Sequence, residues 1–261
     1  MSSNSRLASY WRPWTLIWPS ICLHWGALQA AVRKDGLLGA LAHPRRIRDA
    51  ALAELLSVTS RGFIAFENTT VVPSLVEAAR GVVLELGPGP GNQIHRFDTA
   101  NVEFIYGVEP NARYKRDIDA KLAAGPGLAA DKYKLITCGI EDSDVLRSEG
   151  VTEGSMDTVL SIQVMCAVDD PKLVMKEVYR LLKPGGRFIF WEHGWSKDSV
   201  TNAVQAFWNP AWSTFVGCRL TRNVKADILG AGEWENPDEI EEPVDPCSCL
   251  PRIQGVLIKK S

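Results

Sequence analysis

The feature that most constrains this chain is a glycine-rich turn at the end of an apolar run. Residues 82–92 are Val-Val-Leu-Glu-Leu-Gly-Pro-Gly-Pro-Gly-Asn, so an acid is followed by Gly87, Gly89 and Gly91 at alternate positions. This order predicts a strand, a tight turn and a helix start, with the turn stripped of side chains. Such a turn lets a ligand lie against bare backbone, with helix N–H groups directed at negative charge. It therefore predicts a site for a nucleotide-like ligand.

Composition bounds what surrounds this turn. At 261 residues the chain can bury a full core, and one domain with an appendage fits better than two equal domains. A net charge of −2 is too small to indicate nucleic acid as a partner. Six cysteines in this length form no dense disulfide framework, which favours a reducing, intracellular compartment. Cys247 and Cys249 lack a partner pair at metal-site spacing, and we predict no metal site.

The N-terminal segment is uncharged and rich in tryptophan. Residues 14–32 contain no Asp, Glu, Lys or Arg. Four tryptophans lie in or beside it: Trp11, Trp14, Trp18 and Trp25. Because tryptophan prefers the headgroup level of a bilayer, one interpretation is that residues 10–34 attach to a membrane surface or insert shallowly into it. The alternatives are a helix that packs on the domain or covers its active site, and a true span. We predict an extension over residues 1–48 and a main domain over residues 49–261.

Strand and helix patterns alternate through the middle of the chain. Apolar runs recur at 82–86, 104–108, 133–137, 156–162 and 187–191. Segments of helical composition lie between them. This alternation predicts an α/β fold, with a doubly wound, mostly parallel sheet and helices on both faces. Residues 255–260 fit the final strand, whereas residues 233–242 are an edge strand or a loop.

An acid at the end of the second predicted strand limits which nucleotide-like ligands fit the site. Glu109, followed by Pro110, can accept both hydroxyls of an adenosine ribose, although a nicotinamide dehydrogenase would offer the same acid. The glycine spacing discriminates better, because Asn92 stands where a dinucleotide fingerprint has its third glycine. This form of the turn, preceded by Glu85, favours S-adenosylmethionine, whose carboxylate can lie at the helix start.

Later segments carry a family resemblance. A predicted helix over residues 172–182 ends in Leu-Lys-Pro-Gly-Gly, which leads directly into an apolar strand. This order resembles the class I S-adenosylmethionine-dependent methyltransferases with a type 11 methyltransferase domain, in which the Pro-Gly-Gly turn reverses the chain into the fifth strand. The resemblance implies a Rossmann-like sheet of seven strands, with the antiparallel C-terminal strand inserted between neighbours.

The resemblance narrows in the last third of the chain. The segments that carry it are 190–193, 207–212, 217–222 and 251–255. They resemble the membrane-anchored family that includes the alkyl-thiol S-methyltransferases of the endoplasmic reticulum and lipid droplets. The resemblance implies a small thiol acceptor, and a location on the cytoplasmic face of those membranes or in the cytoplasm.

By this resemblance the glycine turn holds the methionine end of the cofactor and Glu109 holds the ribose. The loop after the third strand holds the adenine, commonly with an acid where Gly139 stands here, so the contact passes to the Ile140 backbone and to Glu141 or Asp142. Asp142 alternatively caps the next helix. The predicted cofactor-binding residues are Glu85, Gly87, Gly89, Gly91, Asn92, Glu109, Pro110, Ile140, Glu141 and Gln163.

Cys166 and His193 are the candidate catalytic residues. Cys166 follows the fourth strand, where related enzymes often carry histidine, and the alternative is a plain buried thiol. His193 ends the fifth strand on the ligand-bearing edge of the sheet, and the alternative is a structural histidine. Four tryptophans either wall an apolar substrate pocket or pack the core: Trp191, Trp195, Trp208 and Trp212.

The acceptor is constrained by the scarcity of bases. Methyl transfer from a positive sulfur mainly needs a positioned, desolvated nucleophile. A thiol, with a pKa near 8.5, is partly ionised at neutral pH, whereas an alcohol needs a strong general base. Apart from His193 the sequence offers no obvious base, so we expect a small apolar thiol acceptor. The alternatives are an O-methyltransferase of a secondary metabolite, or a fold repurposed as a non-methylating catalyst or a lipid-surface binding module.

Overall fold

A single mixed sheet organises the chain. The computed structural model describes residues 3–124, 128–243, 245 and 247–261, and within them six strands form one sheet in the order β3-β2-β1-β4-β5-β6. The strands are β1 Gly81–Leu86, β2 Val102–Val108, β3 Tyr133–Ile136, β4 Met156–Ile162, β5 Leu182–His193 and β6 Arg252–Ile258. Strands β1 to β5 are parallel, and β6 runs antiparallel to β5. The α/β fold and the parallel core are as predicted.

Helices cover both faces of the sheet. Those that follow the N-terminal region are α4 Val72–Glu77, α5 Lys115–Ala124, α6 Ser143–Ser148, α7 Pro171–Leu181, α8 Ser199–Phe215 and α9 Val224–Leu229. Alternate side chains of β1 point to opposite faces, as the pleat requires. Leu84 packs in one buried cluster with residues of α7 and α9, and Val83 packs in the other with residues of α4 and α5.

The expected seventh strand is not found among the described residues. Residues 233–242 make only two isolated antiparallel bridges, Trp234 with Lys259 and Glu241 with Gln254. Between the bridges lies a short 3-10 turn, Pro237–Glu239. Proline has no N–H to give to a ladder, and it interrupts the pairing. Strand β6 therefore has one full neighbour, β5, instead of lying between two strands.

Three helices form the N-terminal region: α1 Ser3–Trp11, α2 Trp14–Ala42 and α3 Pro44–Glu67. Helix α2 is interrupted at Gly36, where φ is 71° and ψ is 170°. The boundary between residues 48 and 49 falls inside α3. In the described part of the chain, no helix combines the length and the apolar character needed to cross a membrane.

One side of the N-terminal helices packs on the domain. Ile17 of α2 is buried in a cluster with Trp212 and Cys166. The backbone oxygen of Tyr10 accepts a hydrogen bond from Trp208 Nε1 at 2.8 Å. The other side is exposed, with Trp18 56% and Trp25 61% accessible. The structure therefore has the packed helix that the sequence allowed, and this helix also carries an outward tryptophan face.

Candidate active site

The glycine turn after β1 has the backbone that its sequence predicts. Gly87, Gly89 and Gly91 have φ values of 51°, 53° and 75°, in the left-handed region that favours glycine. A Cβ on Gly91 would lie 2.6 Å from Ile94 Cδ1, so the turn is tightly packed there. A Cβ on Gly89 would have no atom nearer than 4.0 Å. The open space beside Gly89 lets a ligand approach the backbone.

Glu85 is a buried acid with an unused oxygen. Its Oε2 accepts a hydrogen bond from the Tyr133 hydroxyl at 2.9 Å, and its Oε1 is buried without a partner among the described residues. Burial raises the pKa of Glu85 to about 7. Gly107 of β2 makes the Tyr133 contact possible, because a Cβ there would overlap the tyrosine hydroxyl.

Glu109 ties the end of β2 to the glycine turn. Its Oε2 accepts from the Gly89 N–H at 3.1 Å, and its Oε1 accepts from the Asn111 N–H at 2.9 Å. Burial raises the pKa of Glu109 to about 7, although both backbone bonds oppose that rise. Pro110, the next residue, is exposed.

The loop after β3 places an acid where Gly139 has no side chain. The carboxyl carbon of Glu141 lies 2.6 Å from the position that a Cβ of Gly139 would take. Ile140 is buried between these residues. Asp142 does not cap α6 through its side chain, as one interpretation expected; its Oδ2 accepts from the Gly139 N–H at 2.8 Å instead. This bond folds the loop back on itself, which removes the carboxylate from the helix end.

Asn92 is held by side chains of two neighbouring helices. Its Oδ1 accepts from Ser60 Oγ at 2.5 Å and from Lys121 Nζ at 2.9 Å. Burial lowers the pKa of Lys121. Helices α3 and α5 thus fix the first residue after the glycines.

Gln163, just after β4, is the only residue other than glycine with a positive φ in the described part of the chain, at 61°. Its Nε2 donates to Glu67 Oε1 at 3.2 Å, and its Oε1 accepts from Arg252 at 3.1 Å. Strained backbone of this kind persists where surrounding bonds hold it. The guanidinium of Arg252 lies 4.4 Å from the centre of the Trp191 ring, which it covers.

The residues after Gln163 are positioned by Glu192. This fully buried acid accepts from Ser161 Oγ at 2.7 Å and from the backbone N–H groups of Val164 and Met165 at 2.9 and 3.0 Å. Burial raises the pKa of Glu192 to about 8. The bonds fix the path of the chain that leads to Cys166.

Cys166 and His193 converge with a third residue, Cys218. The Sγ atoms of the two cysteines and a ring nitrogen of His193 all lie within 4.8 Å of one another, and all three residues are buried. His193 Nδ1 is 3.4 Å from Cys218 Sγ, and His193 Nε2 has no hydrogen-bond partner among the described residues. Burial lowers the pKa of His193, and the nearby charge of Arg252 lowers it further, so the ring is neutral at pH 7.

The two thiols are not equivalent. A hydrogen bond to Cys218, followed by burial, raises the pKa of Cys166. Burial disfavours the thiolate at Cys218 too, yet the hydrogen bonds from Cys166 and His193 hold the pKa of Cys218 below its ordinary value. A thiolate is therefore favoured at Cys218 and a thiol at Cys166.

A cavity of about 180 Å³ joins the glycine turn to this cluster. Seven of the predicted site residues line it: Glu85, Gly87, Gly89, Asn92, Gln163, Cys166 and His193. The predicted residues that do not line it are Gly91, Glu109, Pro110, Ile140 and Glu141. Leu16 of α2, Leu56 and Phe63 of α3, and Val216 make much of its wall apolar.

Of the four tryptophans proposed to wall a pocket, only Trp212 lines this cavity. Trp191 lies beneath Arg252. Trp195 is 44% exposed and borders a different pocket. Trp208 packs against Trp11. The sequence could not separate these roles, because they depend on the path of α8 and the N-terminal helices over the sheet.

Comparison with known proteins identifies the family. A family model described as a methyltransferase domain matches residues 84–190. The thiol S-methyltransferase TMT1B of Rattus norvegicus is 31% identical over 192 residues, which cover 68% of this chain and 70% of that protein. The thiol S-methyltransferase TMT1A of Homo sapiens is 30% identical, with the same shares of the two chains covered. The chain belongs to the methyltransferase family that includes these two relatives.

The solved structures agree on the fold of this methyltransferase. An O-methyltransferase family protein from Burkholderia thailandensis has a TM-score of 0.59 and 15% sequence identity, covering 97% of this chain and 71% of that one. At such identity the likeness shows the fold alone. Together with the family match, it identifies the chain as an S-adenosylmethionine-dependent methyltransferase.

The residues at the glycine turn of this methyltransferase fit that cofactor chemically. S-adenosylmethionine carries an ammonium group, and the buried, unpaired Oε1 of Glu85 is the kind of acceptor that a cation satisfies. The open space beside Gly89 suits close approach of a ligand to the backbone. Glu109 already accepts two backbone hydrogen bonds, and each of its oxygens retains a second lone pair for a hydroxyl.

Sequence reasoning missed a buried polar network, of which Glu67 and Gln93 line the cavity. Arg96 pairs with Glu67 at 2.6 Å, and Gln93 donates to the same Glu67 oxygen at 3.1 Å. Nothing in the local sequence marks these positions, which lie on α3 and on a short turn after the glycines. Cys218 and Arg252 did lie in segments that carried the family resemblance, but their spacing gave no sign that they would meet Cys166 and Gln163.

Proposed function

We propose that this methyltransferase transfers a methyl group from S-adenosylmethionine to the sulfur of a small apolar thiol. The observation that carries the proposal is the cavity, which has the glycine turn at one end and Cys166, His193 and Cys218 at the other. The name of the relatives, thiol S-methyltransferase, supports the same acceptor class. S-adenosylmethionine, when bound, supplies a methyl group on a positively charged sulfur.

We propose the following cofactor roles, which the contacts around the turn support. Glu85 accepts the ammonium group through its free oxygen, and Gly89 gives the ligand access to the backbone. Glu109 accepts the ribose hydroxyls, while Pro110 and the buried Ile140 border the base. The carboxylate of Glu141 takes the place of the acid that Gly139 lacks. Gln163 faces the reacting end of the cavity, held by Glu67 and Arg252.

A thiol fits the acceptor end better than a hydroxyl does. The pKa of His193 is lowered, and a base with a low pKa cannot remove the proton of an alcohol effectively. A thiol needs less help, because part of it is already ionised near neutral pH. The apolar wall formed by Leu16, Leu56 and Phe63 suits a hydrophobic acceptor. O-methylation of a phenol is the nearest alternative, since a phenol is also acidic.

The test is a methyl-transfer assay with methyl-labelled cofactor and the full-length protein. The acceptors form an aromatic set and an aliphatic set. Within each set they share one carbon skeleton and differ only in the functional group, which is a thiol, a hydroxyl (phenol or alcohol) or a carboxylic acid. We expect labelled thioether from the thiol, with loss of the reaction in Gly89→Val, which fills the cofactor space, and with no loss in Cys22→Ser, which changes an exposed thiol on α2. Labelled ether without labelled thioether would overturn the thiol assignment in favour of O-methylation. Cofactor binding without transfer to any acceptor would favour a repurposed fold.

We further propose that residues 10–34 attach the enzyme to a membrane or lipid-droplet surface, at the cytoplasmic face that the resemblance implies. Trp14, Trp18 and Trp25 are exposed on an uncharged stretch of α2. The division into an attachment region over residues 1–48 and a catalytic domain over residues 49–261 goes with this proposal. Helix α2 also contributes Leu16 to the cavity, so deleting it would damage both regions.

Point substitutions therefore test attachment better than truncation. In flotation with vesicles of neutral and anionic phospholipid, Trp18→Gln combined with Trp25→Gln should reduce the vesicle-bound fraction. Trp195→Gln, at an exposed tryptophan outside the N-terminal helices, is the matched control and should leave binding unchanged. Equal binding by all three proteins would refute attachment through α2.

A further inference from the structure

The cluster of Cys166, His193 and Cys218 has the composition of a metal site. In the part of the chain that the structure describes, no other group of three such side chains converges in this way. The three residues come from the loop after β4, the end of β5 and the segment after α8, which are distant in sequence. Folding therefore assembles them from three separate elements around one point.

The distances suit a tetrahedral zinc ion. Bonds of about 2.3 Å to sulfur and 2.0–2.1 Å to nitrogen place neighbouring ligand atoms of a tetrahedron roughly 3.5–3.8 Å apart. His193 Nδ1 is 3.4 Å from Cys218 Sγ, and all three candidate atoms lie within 4.8 Å of one another. Side-chain adjustments of well under an ångström per residue bring them into that range. Soft thiolate ligands with imidazole favour zinc over magnesium or calcium.

Charge balance points the same way. Zinc binding displaces the thiol protons, so the two cysteines would bind as thiolates and, with a neutral imidazole, contribute a charge of −2. A divalent ion brings the site to zero. The Nε2 atom of His193 is buried without a partner among the described residues, so the ring is not committed to a protein acceptor.

Three protein ligands leave one coordination position of a tetrahedral ion open. Three protein ligands with a free fourth position are characteristic of catalytic zinc, whereas structural zinc has four protein ligands. Cys166, His193 and Cys218 all line the cavity that also reaches Gly87 and Gly89. A group bound at the fourth position would therefore lie in the space between the cluster and the glycine turn.

We propose that Cys166, His193 and Cys218 bind one Zn²⁺ whose fourth coordination position takes the sulfur of the thiol acceptor; this rests on the proposed thiol methylation. On coordination the acceptor thiol releases its proton to water and binds as a thiolate. A sulfur lone pair then forms the bond to the methyl carbon, the bond from that carbon to the cofactor sulfur breaks, and its electron pair stays on that sulfur as a neutral thioether. The zinc changes no oxidation state. This revises the expectation from sequence that the chain has no metal site.

The first measurement is metal content. Full-length protein, prepared under reducing conditions without chelators, should contain about one zinc per chain by mass spectrometry of the elements. Replacement of zinc by Co²⁺ should give the visible bands of tetrahedral cobalt and the near-ultraviolet bands of sulfur-to-cobalt charge transfer. Cys166→Ser, Cys218→Ser and His193→Gln should each lose most of the metal and change these bands.

A matched control separates the cluster from thiols in general. Cys138 is a buried free cysteine outside the cavity lining, and Cys138→Ser should keep the full metal content and the cobalt spectrum. Cofactor binding and thermal unfolding of each variant show whether it is folded. A folded wild-type protein that contains no zinc, takes up no cobalt, or forms a disulfide between Cys166 and Cys218 would overturn the proposal.

Activity then distinguishes this proposal from the function on which it rests. Protein freed of metal by dialysis should lose thiol methylation while it still binds cofactor, and added Zn²⁺ should restore the reaction. Thiol methylation at full rate without metal would refute the zinc role and leave thiol methylation standing. Stoichiometric zinc in an enzyme that methylates no thiol would refute the thiol acceptor and, with it, the catalytic role of the ion.

Discussion

Replacing Glu85 by glutamine tests the donor end of the site through stability as well as binding. The carboxyl is fully buried, with one oxygen bonded to Tyr133 and the other unpaired. Its pKa is raised from 4.5 to about 7, first by burial, with Glu109 adding to the rise and Tyr133 and Lys121 opposing it. In the absence of ligand, ionisation of Glu85 therefore lowers the free energy of unfolding.

The sign and size of that cost follow from linkage. Because the pKa is higher in the folded state, the folded protein binds the proton more tightly, and the free energy of unfolding falls as pH rises from 4.5 to about 7. At about 1.4 kcal/mol per pH unit, the loss between pH 5 and pH 8 is about 2–3 kcal/mol. Glutamine cannot ionise, so Glu85→Gln lacks this loss. Its amide group replaces the unpaired oxygen and costs about 1–3 kcal/mol at every pH.

The assay is urea denaturation of wild type and Glu85→Gln at pH 5 and pH 8 without ligand. The stability of the variant relative to wild type should rise by about 2–3 kcal/mol from the lower to the higher pH. Glu103→Gln, at an exposed acid on β2, is the control and should show no such rise. A relative stability that is the same at both pH values would refute the argument that Glu85 is a buried acid of raised pKa.

Cofactor binding to the same proteins completes the test. An ammonium group favours the ionised acid, so wild-type affinity should increase as pH rises toward and past 7, and then level off. Loss of one charge-assisted hydrogen bond, worth about 1.5–3 kcal/mol, should weaken binding to Glu85→Gln about 10- to 100-fold at pH 8. The variant should also lose the part of the pH dependence that comes from Glu85, and keep the part that comes from Glu109, whose pKa is also about 7. Unchanged affinity would remove Glu85 from the cofactor site.

Four further substitutions probe the glycine turn, the N-terminal helix and the buried network. Gly91→Ala should destabilise the fold, because a Cβ would lie 2.6 Å from a neighbouring side chain, whereas Gly89→Ala should cost only about 1–2 kcal/mol of backbone strain and mainly weaken cofactor binding; denaturation and binding titrations separate the two. Ile17→Ala should cost about 2–5 kcal/mol in urea denaturation, and a negligible loss would show that α2 does not pack on the domain as described. Glu67→Gln leaves the buried charge of Arg96 unpaired and should cost about 3–5 kcal/mol, which a stability within 1 kcal/mol of wild type would contradict.

The parts of the fold that the sequence predicted are those with local causes. The strand before the glycine turn, the turn itself and the helix that leads into β5 each follow from neighbouring residues. The position of Glu109 against the glycine turn was predictable because an acid at this strand end lies at the ligand edge of a parallel sheet. For residues 233–242 the sequence left an edge strand and a loop open, and the structure has a 3-10 turn at Pro237 between two isolated bridges, so the seventh strand implied by the resemblance is not formed there.

The parts that were missed depend on contacts between distant segments. Cys218 meets Cys166 only because α8 returns the chain across the end of the sheet, and no periodicity encodes that path. Arg252, the first residue of the last strand, donates a hydrogen bond to Gln163, which follows β4. The pairing of Glu67 with Arg96 joins the end of α3 to a turn after the glycines. Neither Glu67 nor Arg96 can be recognised as a member of a buried pair from its neighbours in the sequence, because each is an ordinary charged residue in its own segment.

Gly107 shows how far the site extends into the sheet. It does not line the cavity, and its neighbours on β2 are ordinary strand residues. Any side chain there would displace the Tyr133 hydroxyl from Glu85 and remove the bond that restrains the pKa of that acid. The pKa of Glu85 would then rise further, because burial would be opposed by one hydrogen bond fewer. In a mutational scan scored by activity, substitutions at position 107 should therefore reduce methyl transfer, although Gly107 does not line the cavity.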